Sequence, residues 1–182
     1  MLLIDSEKTV EQVINYLGLT RSPTKNAWSK MIHHDVRDVC CDCSNECQLS
    51  NSTTFLYLFT KDLSCLWHRF HGALVWSFVT GAPLQLLTAS NKKIETVKLL
   101  GSDCDQNHLP ICVIETDKWQ KPKTTGDWSL VSCTYASGFE LENVEIATRE
   151  WKPGKGNPTL SFPGETWQPN ETFKCDNFKA IR

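Results

Sequence analysis

The sequence predicts an all-β domain, a sandwich or barrel with one short helix ahead of it. Seven short apolar and β-branched runs, at 53–60, 65–72, 74–81, 84–90, 94–100, 111–116 and 128–136, recur at a spacing of roughly ten residues. Turn chemistry separates them, as at Asn91-Lys92-Lys93 and Thr125-Gly126-Asp127, and no helical pattern lies between them. Parallel strands need long crossovers, usually helical, so closely spaced strands without helices favour a sandwich or barrel.

Ahead of the strands, Thr9-Val10-Glu11-Gln12 reads as a capping box. Val10, Val13, Ile14 and Leu17 recur at helical spacing, and Gly18 is the stop. A turn around Pro23 precedes a strand over Trp28–His33. The stretch VRDVCCDCSNECQLSNS, rich in Cys, Asp, Ser and Asn, reads as a surface loop. The chain therefore divides into 1–50 (helix, strand and cysteine-rich loop), 51–150 (the β domain) and 151–182. The last part is an irregular tail whose Phe162, Trp167, Phe173 and Phe178 are expected to pin it to the domain or to a partner, since a free tail would expose too much apolar surface.

With 182 residues, 40% hydrophobic and 22% charged, the chain has enough apolar material for one packed core. A net charge of -2, without a Lys/Arg block longer than a pair, gives no attraction for phosphate backbones or anionic lipid, which excludes nucleic acid and membrane surfaces as expected partners. Met1-Leu2-Leu3-Ile4-Asp5-Ser6 has too short an apolar start for a secretory signal or a membrane span, so the expected location is the cytoplasm. On that expectation the glycosylation patterns at Asn51 and Asn170 are chance matches, and the nine cysteines are mostly thiols.

Several stretches carry a resemblance: EQVINYLGL (11–19), STTFLYL (52–58), Leu66–Gly81 with Pro83, Leu100-Gly101-Ser102-Asp103, Pro110–Gln120 and, most specifically, LVSCTYASGFELENVEIA (130–147). Together with Trp67-His68-Arg69 they resemble the DUF985-type cupins, jelly rolls related in shape to sugar-nucleotide epimerases. The resemblance covers about residues 10–150 and implies a cupin-like double-stranded β-helix. Departures from the family pattern are as informative. Pro23-Thr24-Lys25-Asn26 stands where the pattern reads Pro-Glu-Gly-Gly, and Ala73, Leu74 and Ser77 replace acidic and histidine positions of the hairpin.

In cupins the resemblance implies a metal held by two histidines and a glutamate on a first motif and a histidine on a second. Those positions here are His68, Phe70, Leu74 and Gln120, one ligand of four, so no barrel metal and no cofactor are expected. His68 is the one candidate catalytic residue, a general base that needs an orienting carboxylate; Asp117 or Glu115 are the available donors. Strand parity puts Phe70, Leu74, Trp76 and Phe78 inward with His68, joined by Trp119 or Gln120, as the wall of a ligand-binding cavity or of a filled barrel. The opposite parity presents Trp67, Arg69, Val75 and Val79, an interface pattern that matches the homodimers common in the resembled family, unless the helix or the tail covers that face. Cys40, Cys41, Cys43 and Cys47, with His33 and His34 upstream, have chelating proximity but lack paired Cys-x-x-Cys knuckles, leaving a thiol site or a loop of reduced thiols. Cys133 reads as a packing residue, or as a nucleophile if a neighbouring base lowers its pKa.

Three functions follow as expectations: a non-catalytic cupin-like protein binding an unknown small molecule or a partner, a metal-independent isomerase or epimerase using His68, or an interaction scaffold.

Overall fold

Thr9 starts the first element with a reciprocal cap. In the computed structural model, which describes residues 7–22, 24–40 and 46–161, the Thr9 hydroxyl accepts from the Gln12 backbone N–H at 3.3 Å and Gln12 Oε1 accepts from the Thr9 N–H at 3.0 Å. Helix α1 accordingly runs Val10–Leu17 and ends at Gly18, which sits at φ 62°.

Twelve strands follow among the described residues: β1 (Thr20–Arg21), β2 (Trp28–Cys40), β3 (Glu46–Thr60), β4 (His68–Phe70), β5 (Leu74–Gly81), β6 (Leu84–Ala89), β7 (Ile94–Leu100), β8 (Ile111–Ile114), β9 (Trp119–Thr124), β10 (Trp128–Tyr135), β11 (Val144–Ala147) and β12 (Leu160–Ser161). They form two sheets, ordered β1-β2-β3-β10-β5-β8 and β12-β11-β4-β9-β6-β7, with neighbouring strands antiparallel. This is a jelly roll with one short helix, the expected class. Among the described residues no helix is long and apolar enough to cross a membrane.

Two elements depart from the sequence reading. The stretch expected as a loop supplies the distal halves of β2 and β3, which pair from Trp28↔Leu58 out to Cys40↔Glu46. Polar composition concealed a hairpin whose order comes from backbone pairing. Strand β9, WQKPKT, was hidden by Pro122 and its lysines. Pro122 pairs across to Leu86 of β6, while β4 meets β9 at His68↔Gln120 only, so the missing N–H falls where the second neighbour no longer runs alongside.

Strand alternation divides the apolar residues among three layers. Inward side chains, led by Tyr57 and Phe59 of β3, Trp76 of β5, Leu84 and Leu86 of β6 and Tyr135 of β10, fill the space between the sheets. The outer face of the first sheet is covered by α1 and the residue that follows its Gly18 cap, through Val13 and Leu19 on Leu58, Trp128 and Leu130. The Trp128 indole N–H fastens this cover by donating to Lys8 O at 2.8 Å. The outer face of the second sheet carries Trp67 and Trp119, covered by Trp151.

Gly81 ends β5 at φ 94°, beside the register shift at Leu130/Val131, and a Cβ there would stand 2.6 Å from the Trp128 ring and 2.7 Å from Trp128 O. Gly81→Ala is expected to lower the unfolding free energy by roughly 2–4 kcal/mol in urea titration. Gly156→Ala, at φ 76° with nothing within 4 Å, should cost only about 1 kcal/mol. Equal losses would contradict the role given to the Trp128 contact.

Candidate functional site

The turn that joins β1 to β2 delivers a lysine into the barrel. Its ends are tied by Ser22 N–H to Ala27 O at 2.8 Å, and the Ser22 hydroxyl accepts from the Lys25 N–H at 3.4 Å. Asn26 adopts φ 47°, a conformation asparagine tolerates. Its side chain accepts from the Arg21 guanidinium at 2.7 Å and donates to Ser64 O at 3.0 Å. The turn is thereby bonded to the segment leading into β4, which carries His68.

Lys25 and His68 are each 1% exposed, and Lys25 Nζ lies 2.7 Å from His68 Nε2. The other ring nitrogen settles the roles. His68 Nδ1 is 3.0 Å from Leu66 O, an atom that only accepts, so Nδ1 carries the proton and Nε2 presents its lone pair to the lysine. Burial holds the lysine below its ordinary range. Burial, reinforced by the neighbouring Lys25 charge, holds the imidazole well below its own. The pair is a donor amine on a neutral imidazole.

Aromatic rings complete the amine's surroundings. Its Nζ stands 5.3 Å from the Tyr57 ring centroid, 5.5 Å from that of Trp76 and 5.6 Å from that of Tyr135. The two phenols are hydrogen-bonded to each other at 3.1 Å. The Trp76 indole donates to Gln120 Oε1 at 2.9 Å, and because indole N–H only donates, this fixes the amide orientation. Gln120 Nε2 is left buried without a hydrogen-bond partner. Cys65 Sγ lies 3.7 Å from His68 Nδ1. Burial pushes the thiols of Cys65 and Cys133 up to about 12, so both remain protonated at neutral pH and Cys133 acts in packing.

The expected inward set separates into two groups. His68, Phe70, Leu74, Trp76 and Gln120 converge in the barrel, and Phe78 packs against that core half-buried. Trp119 does not join them. Alternation sends it to the outer face, where it packs tilted against Trp151 with ring centroids 4.9 Å apart and lies under the Arg69 guanidinium. Around His68 the barrel lining is closed to solvent, and among the described residues no carboxylate orients the ring. Asp117 instead bonds His71 Nδ1 at 2.6 Å, Glu145 bonds His71 Nε2 at 3.0 Å, and Glu115 is exposed.

Of the residues expected at an interface, Trp67 is buried under Trp151 and Arg69 is engaged by Glu145 at 2.7 Å. The start of the tail covers this face within the chain. Val75 is half-buried and Val79 exposed on β5. The side chains of Cys40, Cys41, Cys43 and Cys47, and residues 162–182 with their aromatics, lie outside the described residues.

Residues 11–147 match the cupin superfamily family DUF985. The chain belongs to that family. Among solved structures, the cupin is similar to a hypothetical protein from Leishmania major (21% identity, 78% of this chain and 88% of that one, TM-score 0.67). It is likewise similar to a protein from Shewanella oneidensis (19% identity, 79% and 87%, TM-score 0.67). At such identities the likeness speaks for the fold alone. No curated protein matches the chain.

The residues present do not fit a barrel metal. At the four positions where cupins place donors stand an imidazole whose lone pair already accepts from Lys25, two hydrocarbon side chains, and an amide whose oxygen is held by Trp76. Among the described residues, no three His, Cys, Asp or Glu side chains gather to hold an ion.

Lys25, Tyr57 and Tyr135 are the site residues that sequence reasoning missed. A lysine in a Thr-Lys-Asn turn reads as solvated; the available signal was its position where the family pattern has glycine. The tyrosines alternate with Phe55 and Phe59, or sit in a matched strand, and read as core.

Because His68 is held well below the usual histidine value, the unfolded chain takes up a proton below about pH 6.5 that the folded chain refuses, and stability falls as pH falls. His68→Gln, which retains an acceptor for Lys25, is expected to flatten the decline of Tm between about pH 6.5 and 5, one proton being worth at most about 1.4 kcal/mol per pH unit. Identical pH profiles for the two proteins would contradict the neutral assignment.

Proposed function

We propose that this cupin holds a small molecule in its barrel without turning it over. The observation that supports the reading is the 2.7 Å contact between Lys25 Nζ and His68 Nε2. A general base needs a free lone pair aimed at substrate, and the only lone pair of this imidazole is committed to an amine. The metal positions hold hydrocarbon and amide groups, so proton abstraction has no Lewis acid or carboxylate to assist it. Binding is favoured by the unpartnered Gln120 Nε2, a buried donor whose unmade hydrogen bond costs about 1–3 kcal/mol until a ligand oxygen or water accepts from it. The aromatic lining of Tyr57, Trp76 and Tyr135 suits an uncharged, partly apolar ligand.

The epimerase alternative requires His68 to exchange Lys25 for a substrate C–H, and this separates the two readings. Protein purified without added ligand is expected to carry a stoichiometric small-molecule mass in native mass spectrometry, lost on denaturation and diminished in Gln120→Leu. A bare mass counts against binding. Solvent deuterium should enter nucleotide sugars at the background rate, in wild type as in His68→Ala. Incorporation that disappears with His68 would replace the proposal by the epimerase.

A further inference from the structure

We infer that Lys25 is a covalent anchor for an uncharged carbonyl compound, which it captures as an imine inside the barrel. The inference rests on the small-molecule reading above and names its ligand class.

Four features of the site converge on this chemistry. Lys25 Nζ is withdrawn from water, and its contacts are an imidazole lone pair and three ring faces, with no carboxylate among them to hold it as an ammonium. Desolvation depresses its basicity in the direction that frees the amine. In that free form one N–H donates to His68 Nε2, which orients the nitrogen and leaves its own lone pair for a carbonyl carbon. Two donors wait for the ligand's oxygens. Gln120 Nε2 hangs from the same indole that Lys25 faces and has no partner. In the Tyr57–Tyr135 pair one phenol donates to the other, and the acceptor keeps a proton to give. The surrounding apolar core excludes the water that would hydrolyse an imine. An anionic ligand is disfavoured, because burial works against charge on Lys25 and His68 alike and leaves a buried carboxylate or phosphate poorly paired.

The step balances with these groups alone. The amine lone pair forms the C–N bond while the carbonyl π pair moves to oxygen. The nitrogen proton passes to His68 Nε2, and the oxygen takes a proton from the waiting donor, giving a neutral carbinolamine. The imidazolium then returns its proton to the departing hydroxyl, so water leaves and the C=N bond forms. Water's departure leaves a protonated iminium, whose N–H proton passes to the phenolate and restores the phenol, and the sum is amine plus carbonyl giving imine plus water.

The test uses the whole chain, with dihydroxyacetone as probe and glycerol as its carbonyl-free counterpart, both at millimolar concentration. Incubation must be long enough for local opening to admit a three-carbon molecule. Borohydride reduces any imine to a stable secondary amine for intact-mass and peptide analysis. A single reduced three-carbon adduct on Lys25, formed while exposed lysines such as Lys61 remain unmodified, is the expected result. His68→Gln should slow its formation about tenfold, the loss of one positioned proton acceptor. Lys25→Met should show no adduct at position 25 and the same background at exposed lysines as wild type. Adducts confined to exposed lysines, or none in wild type, overturn the inference. If both probes raise Tm equally and no adduct forms, the carbonyl inference falls and the small-molecule reading stands; if neither probe acts and the native mass is bare, both fall.

Discussion

A hydrogen-bonding amine cannot be left alone in an apolar interior, and the hydrogen bond from Lys25 to His68 is what allows a lysine to occupy the centre of this barrel. Burying an ammonium costs several kcal/mol even after relaxation. Three ring faces at about 0.5–2 kcal/mol each, with one imidazole acceptor, offset much of that cost but supply no counter-charge. Burial accordingly lowers the Lys25 pKa, the direction that favours the neutral amine. The same contact decides the resting state of His68, since the imidazole accepts from the amine on Nε2 and donates to Leu66 O through Nδ1.

Everything around the pair serves to hold that contact in place. Ser22 and Asn26 tie the lysine turn to itself and to Ser64, the entry to β4. Helix α1 covers one sheet, and Trp151 covers the other, which leaves the inward positions of both sheets free to be filled by large aromatic side chains.

Much of the architecture was legible in the sequence because it rests on local signals. The capping box and Gly18 marked α1, alternation in LVWSFVTG marked β5, and the register of the resembled family with strand parity put His68, Phe70, Leu74 and Trp76 inward. The hairpin of β2 and β3 was not legible, since the sequence of its outer half is polar while its backbone pairs from Trp28↔Leu58 out to Cys40↔Glu46. Trp119 was misplaced because one residue of register moves a side chain from the core to the outer face. Lys25 was invisible for a different reason: lysine in a polar turn has a strong prior for solvent, and only tertiary structure brings a residue 43 positions away from His68 against its ring.

The central claim concerns the protonation of one ring, and nitrogen NMR of His68 in isotopically labelled protein addresses it directly. The expected spectrum has one protonated nitrogen, Nδ1, and one unprotonated nitrogen, Nε2, unchanged from neutrality down to about pH 5 while exposed histidines titrate. Lys25→Met should shift the Nε2 resonance by removing its donor. Protons on both ring nitrogens at neutral pH, or a proton on Nε2 in place of Nδ1, would contradict the donor amine and with it the assignment of Lys25 to the heart of this barrel.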